Sequence, residues 1–232
     1  MAATTAPFKP ALIIVDLQED FCPPNGTLAV PNGRSTIPTI NHLLTLPFVL
    51  KVATKDWHPP DHISFASQHP SKEPFLSTTI ITNPSNALET YETRLWPDHC
   101  IQGTPGAELV SELDVEKVDH VVEKGMRREV EMYSAFYDPL EKPRCCDSGL
   151  GEVLRGKGVT DVFVVGLAFD YCVKATAVDA AREGFRTVVV RDGTRAVDPE
   201  GWEGVERELK ERGVDVVGVD GEDVRKVEGL RN

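Results

Sequence analysis

Short β-branched runs alternate with amphipathic stretches through most of the chain, and this alternation restricts the fold more than any other feature. Strand-like segments are expected at residues 11–17 (ALIIVDL), 48–55 (FVLKVATK), 119–124 (DHVVEK), 161–166 (DVFVVG), 186–192 (RTVVVRD) and 214–219 (VDVVGV). Helical patterns fall between them, near 35–46, 148–157, 171–183 and 199–212. Strands separated by helices pair in parallel through crossover connections, with the helices covering both faces of the sheet. The expected fold class is therefore α/β, with a mostly parallel central sheet and helices on both faces, a Rossmann-like three-layer sandwich. A chain of 232 residues, 41% of them apolar, buries enough surface for a real core, and one domain over 1–232 is expected.

Residues 56–106 interrupt the pattern. They are rich in Pro, His, Ser and Thr, show little periodicity, and are expected to form a long loop insertion without regular structure. A loop of that length inside a compact domain is functional or disordered, and Trp57, Phe65, Phe75 and Trp96 favour order. The last residues, EDVRKVEGLRN, suggest a charged helical or frayed tail.

The formal charge of -12 argues against nucleic acid as a partner, because a net negative field repels phosphate backbones unless a local basic patch overrides it. The basic cluster at 126–129 (MRRE) is too short and too acidic for such a patch. No basic leader precedes the apolar stretch 11–15, which Asp16 breaks, so neither a signal peptide nor a membrane span is expected. EGLRN is no usual retention or peroxisomal address. Five cysteines without paired spacing suggest reduced thiols and a cytoplasmic or nuclear location. The GLGEVLRG stretch at 149–156 neither follows a strand nor has dinucleotide-binding glycine spacing.

In open parallel sheets, ligands gather at the carboxyl ends of the strands. Asp16 ends the first expected strand, Asp56 and His58 follow the second, Lys124 ends the third and Cys172 follows the fourth. A carboxylate after four apolar residues must be paired if it is buried; otherwise it caps a turn. Lys124 is either its partner or an exposed strand-end lysine. Cys172 begins a helical pattern, where the dipole and a nearby ammonium would lower its pKa from about 8.5 toward roughly 3.5 to 7.5. It would then be a nucleophile with Asp16 as its base, although an isolated cysteine there serves equally well as a small apolar residue. The amides of Ala168 and Cys172, in the turn GLAFDYC, are candidates to hold an oxyanion.

A second cluster lies in the loop. Asp56 and His58 stand two residues apart, and His99 lies in WPDHC. Such a trio makes a three-ligand divalent metal site with open positions, although histidines are common in solvated loops. His62 is a candidate fourth ligand or a solvated side chain, and Cys100 a soft competitor beside His99.

Taken in order, the stretches IIVDLQEDFCPPNGTLAV, TKDWHPPDHISFA, LWPDHCIQGTPGAEL, VVEKGM, YSAFYD and GLAFDYCVKATAVDA resemble the isochorismatase-like hydrolases, and within them the nicotinamidase branch. The resemblance covers most of 11–192. It implies an isochorismatase-like fold and a catalytic triad of Asp16, Lys124 and Cys172. It further implies metal ligands Asp56, His58 and His99 for one divalent ion, zinc being the expected one, and Phe21 and Trp96 flanking a pyridine ring. A cis peptide between Leu167 and Ala168 is implied as well. The implied activity is hydrolysis of nicotinamide to nicotinate and ammonia through a Cys172 thioester, a step of NAD salvage. One departure is Phe169, where the family usually has a small polar residue such as Thr, which puts the pocket floor in question. The pair Cys145 and Cys146 matches no family element and is expected to be a surface thiol pair. Assembly into a homo-oligomer is left open.

Two rivals remain at this level. Another amide hydrolase of the superfamily, acting on ureido or N-carbamoyl substrates, would not need the Asp56, His58 and His99 trio. A non-catalytic metal or ligand-binding module would bind nicotinamide without turning it over.

Overall fold

The computed structural model describes residues 7–230; the expectations about the extreme termini fall partly on residues 1–6 and 231–232, outside the described residues. Six strands make one parallel sheet: β1 (Pro10–Val15), β2 (Leu50–Asp56), β5 (His120–Lys124), β6 (Asp161–Leu167), β7 (Arg186–Arg195) and β8 (Val214–Val217), in the order β5-β2-β1-β6-β7-β8. The chain starts at the centre, runs outward to β5, then returns through β6 to the other edge.

Period-two alternation divides each strand between two cores. Leu12 and Ile14, with Phe163 and Val165, pack on α1 (Ile37–Leu44) and on Val224 and Val227 of α5 (Glu222–Glu228). Ala11, Ile13 and Val15, with Val162 and Val164, pack on α2 (Leu150–Gly156), α3 (Lys174–Arg182) and α4 (Trp202–Glu211). The result is the expected three-layer α/β sandwich. The tail is a docked helix through Val227, both of its valines being fully buried.

The stretch 56–106 departs from expectation. It contains a two-stranded antiparallel hairpin, β3 (Thr78–Asn83) and β4 (Asn86–Arg94). Most of the hairpin is solvated, Ile80 included, with Ile81, Asn83 and Thr93 turned inward. Threonine, asparagine and glutamate occupy most of both strands, so no apolar alternation marks them. Phe65 and Trp96 are buried, as their aromatic character suggests.

The register of the sheet places the site. Asp56 is paired with Lys124 at the ends of β2 and β5, and Val15 with Gly166 in β1 and β6. Gly166 has φ +106°, and a Cβ there would collide with the Val15 backbone, so the close β1–β6 approach requires glycine. Among the described residues, no helix is long and apolar enough to cross a membrane.

Candidate active site and metal centre

At the carboxyl edge of the sheet, Lys124 is buried and its ammonium lies at the centre of a cluster. Its Nζ is 2.9 Å from Asp16 Oδ2 and 3.5 Å from Cys172 Sγ, pairs with Asp56 Oδ1, and donates to the Met132 carbonyl at 3.3 Å. The exposed strand-end alternative for Lys124 and the turn-cap alternative for Asp16 are therefore set aside. Asp16 leaves β1 in a left-handed conformation, φ +46°, that non-glycine residues seldom adopt. The Thr54 hydroxyl donates to its Oδ1 at 2.5 Å. Gln18 clamps the neighbouring strand, donating to the Asp56 and Ala107 carbonyls and accepting from the Asp56 amide, each at 2.8 Å.

Burial pushes the Asp16 carboxyl up, and although Lys124 draws it back, it reaches about 6. Burial also works against the charged forms of Asp56 and Lys124, yet attraction prevails: Lys124 holds Asp56 well below the usual carboxylate range, and Asp16 and then Asp56 hold Lys124 well above its own. Cys172 corrects the expectation of a depressed thiol pKa. Its pKa is raised well above the ordinary value, first by burial, with Asp16 and Asp56 adding to the rise and Lys124 only partly offsetting it. One ammonium faces two carboxylates, so a third anion is unwelcome.

The local backbone also differs from the expected helix start. Cys172 sits in a wide helical turn, Phe169–Val173, before α3 begins at Lys174. The Leu167–Ala168 peptide is cis, and the Tyr171 and Val173 amides donate to the Ala168 carbonyl, each at 3.1 Å. Ala168 and Cys172 both line the cavity in front of the thiol.

Beside this cluster, Asp56 Oδ2 lies 3.5 Å from His58 Nε2 and 3.9 Å from His99 Nε2. Each histidine is oriented from behind: Nδ1 of His58 meets the Gly125 carbonyl and Nδ1 of His99 the Pro97 carbonyl, both at 2.8 Å. A carbonyl can only accept, so each Nδ1 carries the hydrogen and each Nε2 presents a lone pair. Gly125 has φ +66°, and a Cβ there would strike the His58 ring. Nε2 of His58 is buried without a hydrogen-bond partner, an orphan that a cation between these three donors would satisfy. Burial disfavours a charge on His58, but Asp56 outweighs it and its pKa is raised; burial and His58 together lower His99 to about 4. The residues fit a divalent metal ion with nitrogen and oxygen ligands.

His62 is buried, not solvated, and stands with His58 and Glu131 as a second group of close donors, though both of its nitrogens are hydrogen-bonded within the chain. Its Nε2 faces the Val130 carbonyl at 3.1 Å and its Nδ1 the Ser64 hydroxyl at 2.8 Å, while its ring stacks on His58. Burial and His58 lower its pKa to about 3. Cys100 is buried, and its amide donates to Asp20 Oδ2 at 2.7 Å.

Phe21 and Trp96 line the cavity as expected, together with Tyr133, Tyr171, Leu28 and Val30. The Trp96 indole N–H donates to the Tyr133 hydroxyl at 3.0 Å. Phe169 is not part of this lining. It is fully buried and stacks on Trp202 with ring centroids 3.9 Å apart, so the departure from Thr falls in the core and leaves the pocket floor untouched. Glu131 is a buried lining residue that sequence reasoning missed. It lies in an aperiodic segment close to Arg127, Arg128 and Glu129, with no pattern to single it out.

A three-layer α/β scaffold with a thiol, an ammonium and a carboxylate at its strand ends, beside three metal-type donors, is the architecture of a cysteine hydrolase. The chain belongs to the isochorismatase family, whose domain model matches residues 10–221. It is 41% identical over 191 residues to the nicotinamidase of Acinetobacter baylyi, covering 82% of this chain and 83% of that one. The crystal structure of the yeast nicotinamidase bound to the inhibitor nicotinaldehyde superposes with a TM-score of 0.84 at 37% identity, covering 90% of this chain and 99% of that one. The pyrazinamidase of Pyrococcus horikoshii in complex with zinc superposes with a TM-score of 0.69 at 36% identity, covering 90% and 99%.

Proposed function

We propose that the protein is a nicotinamidase, a metal-containing cysteine amidohydrolase that converts nicotinamide to nicotinate and ammonia. The observation that carries this reading is the joint presence of the Asp16, Lys124 and Cys172 cluster and the Asp56, His58 and His99 donors in front of one aromatic cavity. The relatives support the substrate. The five cysteines are free thiols, which suits the reducing cytoplasm, where nicotinamide would be salvaged for NAD.

The ring of nicotinamide lies between Phe21 and Trp96. Asp56, His58 and His99 would hold one divalent ion, zinc by our reading, which would supply a Lewis acid beside the bound ring.

Because the thiol pKa is raised and that of Asp16 is about 6, the resting state at neutral pH is a protonated sulfur beside an ionised carboxylate. Asp16 accepts the proton as sulfur attacks the carboxamide carbon, so a free thiolate need not accumulate. The backbone amides of Ala168 and Cys172 hold the oxyanion. Asp16 returns the proton to the departing ammonia, and then, as base again, takes one from the water that cleaves the thioester. Lys124 stays charged throughout and keeps Asp16 ionised between steps.

The test is a substrate panel: ammonia release from nicotinamide against release from ureido and N-carbamoyl amides. Turnover of nicotinamide at the highest kcat/KM is expected. Preference for the ureido compounds would transfer the site to that branch, and tight nicotinamide binding without product would make it a binding module.

A further inference from the structure

One wall of the substrate cavity, residues 131–133, belongs to no strand or helix. Glu131 and Tyr133 line the cavity itself. Met132 between them offers its carbonyl to Lys124 Nζ at 3.3 Å, while its amide donates to the Glu131 carboxylate at 2.9 Å. A buried segment outside any ladder needs side chains to satisfy its backbone groups, and here they come from the β3–β4 hairpin, an element that the hydrolysis does not otherwise use.

The Tyr91 hydroxyl of β4 donates to the Glu131 carbonyl at 2.8 Å and accepts from the Glu131 amide at 3.0 Å. One side chain thus answers both backbone groups of one residue. Two residues further on, Thr93 Oγ1 lies 3.0 Å from the Tyr133 hydroxyl. That hydroxyl oxygen accepts from the Trp96 indole N–H, which can only donate, so the Tyr133 O–H is left for Thr93. Thr93 is buried and Tyr91 half-buried, whereas Thr90, Glu92 and Arg94 are exposed, the period-two alternation of a strand. The same step of two separates Glu131 from Tyr133, so the two hydroxyls grip alternate residues of the wall. Burial, with the Glu131 charge adding to it, raises the Tyr91 pKa and keeps its hydroxyl a donor.

We infer that Tyr91 and Thr93 are positioning residues for the hydrolysis, acting on the site through the wall they hold. Tyr91 keeps the Met132 carbonyl on the catalytic ammonium by fixing the residue before it. Thr93 keeps the Tyr133 hydroxyl where it orients the Trp96 indole, one face of the substrate cavity. The two contacts therefore act on different steps. Tyr91→Phe removes a single oxygen and leaves the Glu131 amide and carbonyl unpaired; the Met132 carbonyl then drifts from Lys124, while Phe21 and Trp96 stay in place for the ring. Thr93→Val loosens Tyr133 and with it Trp96, while Lys124 keeps its acceptor.

The experiment is steady-state ammonia release from nicotinamide by the zinc-loaded full chain, with variants compared at equal folded protein by circular dichroism. Y91F should lose kcat severalfold at an unchanged KM, and T93V should raise KM severalfold at a nearly unchanged kcat. T93S, which keeps the hydroxyl, and T90V, on the exposed face of the same strand, should match wild type. Wild-type constants in both Y91F and T93V, or a T93S as impaired as T93V, overturn the inference. The kinetic arm rests on the nicotinamidase reading, so a second measurement reads the contact alone: by nuclear magnetic resonance, the Glu131 amide should exchange with solvent severalfold faster in Y91F than in wild type. Equal protection in the two overturns the inference whatever the substrate. Faster exchange in Y91F together with a wild type inert on nicotinamide would overturn the nicotinamidase reading and uphold the wall contacts.

Discussion

The two polar clusters at the sheet edge share Asp56 but differ in how completely the chain satisfies them. Around Lys124, three charged groups and a thiol answer one another: two carboxylates, one ammonium and a proton left on sulfur. Around His58 and His99, each ring is fixed from behind by a carbonyl while the facing nitrogens converge on a carboxylate, and one of them is orphaned. The first cluster is a closed electrostatic unit, its Asp16 Oδ2 lying 2.9 Å from the ammonium although it makes no hydrogen bond. The second is an open one, and the chain spends buried polar groups on it that only a cation repays.

The largest expected effect falls on the closed cluster. Cys172→Ala should lower ammonia release by on the order of 10⁴-fold or more while the circular dichroism spectrum stays as in wild type, because removing a neutral thiol leaves the charges around Lys124 as they were. Lys124→Met should damage the fold as well as the rate. It strands Asp16 and Asp56 without their ammonium, and a broken buried pair costs about 3 to 5 kcal/mol, readable as a lowered midpoint in urea.

Next comes the open cluster. Chelation should reduce kcat/KM by on the order of a hundredfold and lower Tm, with both restored by zinc, whereas it leaves the Asp16–Lys124 pairing intact. A smaller effect is the pH profile. The Asp16 pKa is raised, so its base form prevails above about 6; kcat/KM should fall as pH drops below that value, approaching tenfold per unit. An acidic limb near the ordinary carboxylate value would show that Asp16 is not the base. Smallest of all, His62→Asn should leave the metal content unchanged by atomic absorption, since both nitrogens of His62 are already engaged within the chain.

The two clusters were unequally legible in the sequence. Asp16, Asp56 and Lys124 could be placed because each follows an apolar strand and parallel strands end together. Cys172 could be placed because it follows another such strand. The metal trio was legible as a spacing, and only the carbonyls of Gly125 and Pro97, invisible in a sequence, show which nitrogens are free. Gln18 and Thr54, which hold the carboxylates, looked like ordinary polar residues. Glu131 and Tyr133 lie in a segment without periodicity. The thiol was misjudged in direction: a helix dipole and an ammonium can be counted from a sequence, but the burial that outweighs them cannot. Phe169 was misjudged in orientation, since the wide turn after Leu167 sends it to Trp202 instead of into the cavity. The hairpin of β3 and β4 escaped because its strands are mostly solvated on both sides.

The central claim is that both clusters serve one hydrolysis, and ammonia release from nicotinamide by the purified protein tests it most directly. It is measured with metal, after chelation and after zinc is restored, with Cys172→Ala alongside. The account predicts release that is lost on chelation, recovered with zinc, and abolished in Cys172→Ala under every condition. Full activity in the metal-free protein, or sustained turnover by Cys172→Ala, would contradict it.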